Sequence, residues 1–402
     1  MHAQTSHRCP SWAAAPLGLR AGIPAAEQAP ATICPMHVVM VGNFPLDATP
    51  RGGVETAAFN LASALEALGV KVTVVDPRVE AAESLTLTYE GITVHRENLG
   101  GVVGRSRRAR GMVREVASDV NADLVHSQGI ARFLPLELPT IFTLHGIAEN
   151  EVKHEGSRLR SAVKSATVVR QEVSARRAAP NVISISKFTT RYLDPERQRV
   201  WEIPNAISPL FGDVRGVPRE RRVLFVGSLR IRKRVRELIA AFADGCAREG
   251  AILAIAGSGL DGSYGQGCLS LAEELGVSGS IEWLGSMTPA QLAAEMARSQ
   301  VLALPSGAES APMVIAEALA QGLPVVAADV GAVSEMVDDG RNGILVRAGD
   351  HAGLSDALVR VLNLPDYDDW SSRALQASSA YSAAEVSQKT LAAYLEVVGR
   401  PA

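Results

Sequence analysis

From His37 to Val398 the chain repeats one hydropathy pattern: a short apolar run, a turn of small residues, then apolar positions at helical spacing. The runs are continuous rather than alternating, which predicts strands buried on both faces, as in a parallel sheet. His37–Val41 is the first, followed by a helix over about Val54–Leu68 and a strand at Lys71–Val75. That is a βαβ opening. Strands ending at His126 and His145, then Asn181–Ser186 and a last strand and turn over Trp201–Ile207, extend the series, with a helix starting over Lys187–Leu193. At Arg222–Gly227 the pattern restarts, marking a second parallel sheet. Ala251–Ala256, Ser280–Leu284, Val301–Pro305, Pro324–Ala328 and Ile344–Val346 complete it, with helices over about Cys268–Leu275, Met313–Gln321, Ala352–Leu362 and Ala383–Val398.

Length agrees with this two-part reading, because 402 residues exceed what one core ordinarily holds. The divisions expected are a disordered extension at 1–35, an N-terminal Rossmann-like domain at 36–207 and a linker at 208–221. A C-terminal Rossmann-like domain at 222–382 and a last helix at 383–402, crossing back to the first domain, complete the chain. The extension lacks the apolar stretch of a secretory signal, and Met36 stands at the head of the first strand.

A net charge of −3 gives no general attraction to nucleic acid. Cys9, Cys34, Cys246 and Cys268 lack ligand spacing, so neither a zinc site nor a disulfide framework is indicated, and a reducing cytoplasm is the default. No run of apolar residues is long enough to span a membrane. The basic stretches 102–118 and 153–177 read first as solvated helix faces. Their functional alternative is a weak peripheral contact with an anionic membrane at its inner face.

Candidate chemistry gathers in four places. Glu309 lies in a Ser/Gly/Ala/Pro loop at a strand's carboxyl end, and Glu317 lies one turn into the helix that follows, eight positions on. Open parallel sheets bind ligands at that end of their strands, and the free N–H groups of a helix start suit a phosphate. Arg230, Arg232, Lys233 and Arg234 crowd the loop after Gly227, where four cations repel one another unless they are solvated or face an anion. Gly52 and Gly53 precede the first long helix, where two glycines permit unusual φ values and close approach of a ligand. This is not the Gly-x-Gly-x-x-Gly fingerprint, so nicotinamide binding loses support. His145, at a strand end before Gly146, is placed to face a crevice; His126 is a weaker candidate.

The segment Glu309-Ser310-x-x-x-x-x-x-Glu317-Ala318, with its Gly-x-Pro-Val-Val strand and Gly331-Ala332 turn, resembles the donor-binding segment of family-4 retaining glycosyltransferases. The Thr-Leu-His145-Gly string and the Gly52-Gly53 loop are similar to that family's site histidine and glycine loop. The resemblance covers residues 37 to about 398. It implies the GT-B architecture, two Rossmann-like α/β domains facing across a cleft, and transfer of a sugar from a nucleotide-diphosphate donor to a glycan or lipid-linked acceptor. By it, Glu309 and His145 are the catalytic residues. Lys233, Glu317, Ser228, Arg232, Ser310, Met313, Val314 and Gly53 bind donor, and Gly52 with Gly53 forms the acceptor and phosphate loop. The family pattern Gly-Arg-Leu-x-x-x-Lys-Gly is departed from twice, since Ser228 stands at the arginine and Arg234 at the second glycine. Arg230 or Arg232 is then the source of the second phosphate cation. No cofactor and no metal are expected. A nucleotide-sugar epimerase of the same architecture, a phosphorylase with pyridoxal phosphate, and a non-catalytic nucleotide-sugar-binding protein are the competing readings.

Overall fold

The computed structural model describes residues 36–45, 52–77, 85–97, 99, 104–135, 137–147, 159–213 and 217–400. The expected extension at 1–35, the middle of the first glycine loop and the start of the second basic stretch lie outside them.

Fourteen strands form two sheets among the described residues. The first is built from β1 (His37–Val41), β2 (Lys71–Asp76), β3 (Leu85–Tyr89), β4 (Ile92–Arg96), β5 (Leu124–Gln128), β6 (Thr140–Leu144), β7 (Asn181–Ser184) and β8 (Arg199–Glu202). Their order is β3-β4-β2-β1-β5-β6-β7-β8, parallel except for the antiparallel edge strand β3. The second sheet holds β9 (Arg222–Val226), β10 (Ile252–Ala256), β11 (Ile281–Gly285), β12 (Val301–Leu304), β13 (Val325–Ala328) and β14 (Gly343–Val346). Its order is β11-β10-β9-β12-β13-β14, parallel throughout. Chain order reverses between β1 and β5 in one sheet and between β9 and β12 in the other. Those are the points where an open parallel sheet leaves a crevice.

Each sheet is covered on both faces, as its uninterrupted apolar strands require. Helix Gly53–Ala67 and the last helix, Ala383–Val398, share one core with β1, β2 and β4. Helix Arg105–Asp119 packs on the opposite face. The last helix therefore belongs to the first sheet's core through Val386, Leu391, Ala393, Tyr394 and Leu395. Ser382, just before it, bridges to Ile207.

Several local expectations are corrected. The β3–β4 hairpin has no counterpart in the sequence reading. The helix after Lys187 is a single turn, Lys187–Thr190. The Thr189 and Thr190 hydroxyls both donate to the Ser186 carbonyl, competing with helix propagation. Helix Ser263–Glu274 begins five residues before the expected Cys268 and carries Gly265 in its first turn. That glycine is there for closeness: a Cβ on it would lie 2.4 Å from the carbonyl oxygens of Gly259 and Leu260. Gly52 is extended (φ −176°) and Gly53 is helical, so neither uses a glycine-only conformation. In the first basic stretch, Arg105, Arg108 and Arg110 donate to carbonyls of Pro77, Leu99 and Arg132, and Arg114 pairs with Glu137. Those arginines tie down neighbouring loops.

Candidate active site

The loop after β9 and the loop after β12 flank the second sheet's reversal point, and they are knitted together. Gly307 N–H donates to the Arg232 carbonyl at 2.8 Å, and the Arg232 guanidinium donates back to the Ala308 carbonyl. Lys233 Nζ lies 2.6 Å from Glu309 Oε1, and Arg232 lies 3.5 Å from Oε2. The anion that two of the four crowded cations, Arg232 and Lys233, face is therefore Glu309. Burial alone pushes this carboxyl's pKa up, but Lys233 and Arg232 outweigh it and hold the pKa below the usual value. With side-chain exposures of 13% and 8%, Lys233 and Glu309 form a nearly buried ion pair. Such a pair is costly to break by removing either member.

Glycines allow these loops to meet. Gly227 (φ +155°) and Gly257 (φ +147°) touch so closely that a Cβ on Gly257 would lie 2.0 Å from the Gly227 oxygen. The Gly257 loop thus supports the Lys233 loop. Gly331 (φ +62°) does the same for the acid, since a Cβ there would lie 1.6 Å from the Glu309 carbonyl. Arg234, at the position where the family has glycine, keeps a glycine-like φ of +51°. Its guanidinium lies against Gly307 and Gly349.

Glu317 projects from helix Met313–Ala320 and is 7% exposed. Burial alone raises its carboxyl pKa to about 7. No side-chain partner among the described residues offsets that burial, so a hydroxyl-bearing ligand here would find an acceptor in need of donors. Met313 and Val314 begin this helix, and Ser228 follows Gly227 at the end of β9.

The first sheet comes within reach of this helix. A Cβ on Gly53 would lie 4.0 Å from Met313 Sδ, so the glycine-loop helix faces the Glu317 helix directly. A Cβ on Gly129, after β5, would lie 3.6 Å from Val54 and 3.7 Å from His145 Cδ2. His145 therefore stands beside the start of the glycine-loop helix. Two further contacts link the halves. Ser186 Oγ donates to the Ser310 carbonyl at 3.4 Å, and Glu335 accepts from the backbone N–H groups of Lys187 and Phe188 at 2.8 and 2.7 Å.

His145 is buried and its Nε2 lies 2.6 Å from Gln128 Oε1. Burial pushes its imidazole pKa down to about 4, against a small upward effect of Asn205. His126 lies deeper, with Nδ1 on the Tyr394 hydroxyl and Nε2 on Thr143, each at 2.6 Å. It does not reach the cleft, and burial, with His145 nearby, lowers its pKa to about 3. The sequence reading passed over Gln128 and Tyr394. Gln128 had a signal, being two residues beyond His126 on one strand and hence on the same face. Tyr394 had none. Among the described residues no group of acids, histidines or cysteines has the arrangement of a metal site, and no helix is long and apolar enough to cross a membrane.

Two family models match end to end, Glycosyltransferase Family 4 over residues 51–209 and Glycosyl transferases group 1 over 213–377. The chain belongs to the family-4 glycosyltransferases. Its fold is GT-B and its activity is glycosyl transfer. The chain is 27% identical to a D-inositol 3-phosphate glycosyltransferase from a Nocardioides species, across 85% of each protein. It is 46% identical to phosphatidyl-myo-inositol mannosyltransferase of Mycobacterium leprae over a shorter segment, 20% of this chain and 22% of that one. Among solved structures, sucrose-phosphate synthase from Thermosynechococcus elongatus superposes with a TM-score of 0.77 at 19% identity, covering 90% of this chain and 99% of that one. Anabaena HepE, solved with UDP and glucose, gives 0.68 at 21% identity over 89% and 98%.

Proposed function

We propose that this glycosyltransferase takes its sugar from a nucleoside-diphosphate donor and passes it, with retention of anomeric configuration, to a hydroxyl of a glycan or lipid-linked acceptor in cell-envelope or exopolysaccharide assembly. The observation that carries the reading is the Lys233–Glu309 pair at the β9/β12 reversal point, on the side where Gly53 meets the Glu317 helix. Lys233 and Arg232 hold the diphosphate, with Ser228 in place of the family's arginine. Glu317 accepts from ribose hydroxyls. Glu309 and Ser310 bind the sugar, and His145 contacts it from the other wall. The donor class is supported by Anabaena HepE, a protein of the same fold solved in complex with UDP-glucose.

In the proposed reaction the bond between the anomeric carbon and the β-phosphate oxygen breaks while the acceptor oxygen bonds to the same face of that carbon. The acceptor's proton passes to the departing phosphate oxygen. Fixed cations favour this step because negative charge grows on the leaving group as the bond opens. The test is turnover with a panel of nucleotide sugars and acceptors, with the product anomer read by NMR. Glu309→Ala and Lys233→Ala should each lose turnover by about a hundredfold or more, the scale of removing a group that stabilises developing charge. Donor conversion without an acceptor, at full rate, contradicts the proposal.

A further inference from the structure

The first sheet's side of the site contains a chain of neutral hydrogen bonds that begins in the last helix of the protein. Tyr394 bonds His126, Gln128 Nε2 lies 3.1 Å from His126 Nε2, and Gln128 Oε1 accepts from His145 at 2.6 Å. His126, Gln128 and Tyr394 are at most 2% exposed. All of these side chains lie on the face of the sheet that the last helix covers, which follows from the two-residue period of β5 and β6. Resting on the reading above, we propose that Gln128 is a positioning residue for His145, fixing it as the neutral Nε2–H tautomer, and that the last helix takes part through Tyr394.

The geometry carries this in three steps. Gln128 Oε1 can only accept, so the proton of a neutral His145 sits on Nε2 and its Nδ1 is an acceptor. Nδ1 is buried and makes no hydrogen bond of standard geometry among the described residues, although the Asn205 side chain is close enough to raise the ring's pKa. A cavity of about 20 Å³ beside it, lined by His145, Asn205, Gln128, Thr143 and Thr390, has room for one water molecule. No carboxylate and no cation lines that cavity. The titratable groups of the chain are His126, from β5, and Tyr394, from the last helix. Among the described residues lining the cavity no carboxylate compensates a positive imidazolium, and burial outweighs the Asn205 amide, so the ring is held neutral by its surroundings and oriented by Gln128. A partner on one ring nitrogen fixes what the other can do.

The experiment joins a spectroscopic and a kinetic readout on the full chain. ¹⁵N spectra of histidine-labelled protein should show His145 as the neutral Nε2–H tautomer from pH 8 down to about pH 5. Gln128→Glu places a carboxylate on Nε2, so His145 should become protonated near neutral pH. Turnover should then fall at low pH and recover at high pH, an ionisation absent from the wild type. Gln128→Ala should lower kcat about tenfold while leaving the donor KM within about twofold, as removal of a residue that orients a ligating or reacting histidine does. Tyr394→Phe should cause a smaller loss and move the His126 resonances, with those of His145 shifting less. An Nδ1–H tautomer, or a wild-type His145 that titrates near 6.5, overturns the proposal. So does a folded Gln128→Glu protein whose His145 stays neutral and whose pH profile is unchanged. The spectra read the tautomer whether or not a donor has been found, so failure here is separate from failure of the donor assignment.

Discussion

At the ends of β9 and β12 the site is held together by charge, and at the ends of β5 and β6 by neutral hydrogen bonds. On the first side Lys233 and Arg232 grip Glu309, and the acid stays ionised despite its burial. On the second, His126, Gln128 and His145 meet without any ionic partner, and burial keeps both imidazoles neutral. The difference follows from what each side has to do in the proposed reaction. A diphosphate brings negative charge and needs cations that are fixed before it arrives; a sugar brings only hydroxyls and is best met by uncharged groups of fixed orientation. Glu317 stands between the two regimes, as an acid on the charged side that burial has left close to neutral.

The comparison breaks first at the ion pair. Glu309→Ala leaves Lys233 charged and nearly buried, and should cost about 3–5 kcal/mol of stability besides activity. Replacing both partners, as in Lys233→Met with Glu309→Leu, should recover much of the stability and none of the turnover. Urea unfolding of the three proteins measures this. A single variant as stable as wild type shows that the pair is solvated.

Glu317 gives the next largest effect. Its folded pKa is raised to about 7 from 4.5. The folded state therefore binds the extra proton, and stability is lost as pH rises from 4.5 through 7, by roughly 3 kcal/mol in all. Glu317→Gln should be more stable than wild type at pH 8. Ribose hydroxyls favour the carboxylate, so nucleotide affinity of the wild type should increase with pH through 7, and the variant's should not. Calorimetric titration at pH 6 and 8 checks the sign.

The neutral side predicts the opposite pH dependence. His126 and His145 have folded pKa values of about 3 and 4, below the ordinary 6.5 of a free imidazole. Their neutral forms stabilise the fold above 6.5, and that contribution is lost as pH falls through 6.5 toward 4. Between pH 7.5 and 5 each histidine should cost roughly 2 kcal/mol. His126→Gln should flatten the acid limb of a urea-unfolding pH series; an unchanged limb shows that the ring is already protonated or solvated.

The smallest effect concerns the contact across the halves. Glu335→Ala removes the acceptor for the Lys187 and Phe188 N–H groups at an exposed position. Donor KM should rise about twofold, the scale of a solvent-exposed polar contact. A large fall in stability instead would make this contact part of the fold's core support.

The charged side was legible because its logic is local. Glu309 and Glu317 are separated by one loop and one helical turn, and the cations cluster within residues 230–234 after one strand. Even there, the partner of Lys233 could not be read, because 76 residues separate it from Glu309. The parallel sheets were legible from continuous apolar runs, whereas the β3–β4 hairpin, a mixed polar edge, was not. The neutral side was the least legible. Gln128 and Tyr394 carry no charge and no motif, and Tyr394 joins His126 across 268 residues of chain. Gly52 and Gly53 suggest a conformational device, but neither has a positive φ, and a Cβ on Gly53 would meet only Met313 Sδ at an ordinary contact distance of 4.0 Å.

The most direct measurement is the affinity of Lys233→Ala for a nucleoside diphosphate and for the corresponding nucleoside, by calorimetry beside the wild type. The account predicts that the variant binds the diphosphate at least about tenfold more weakly, the loss of one charge-assisted contact, and the nucleoside within about twofold. Equal diphosphate affinity in the two proteins would contradict it, since the charge on Lys233 would then serve Glu309 alone.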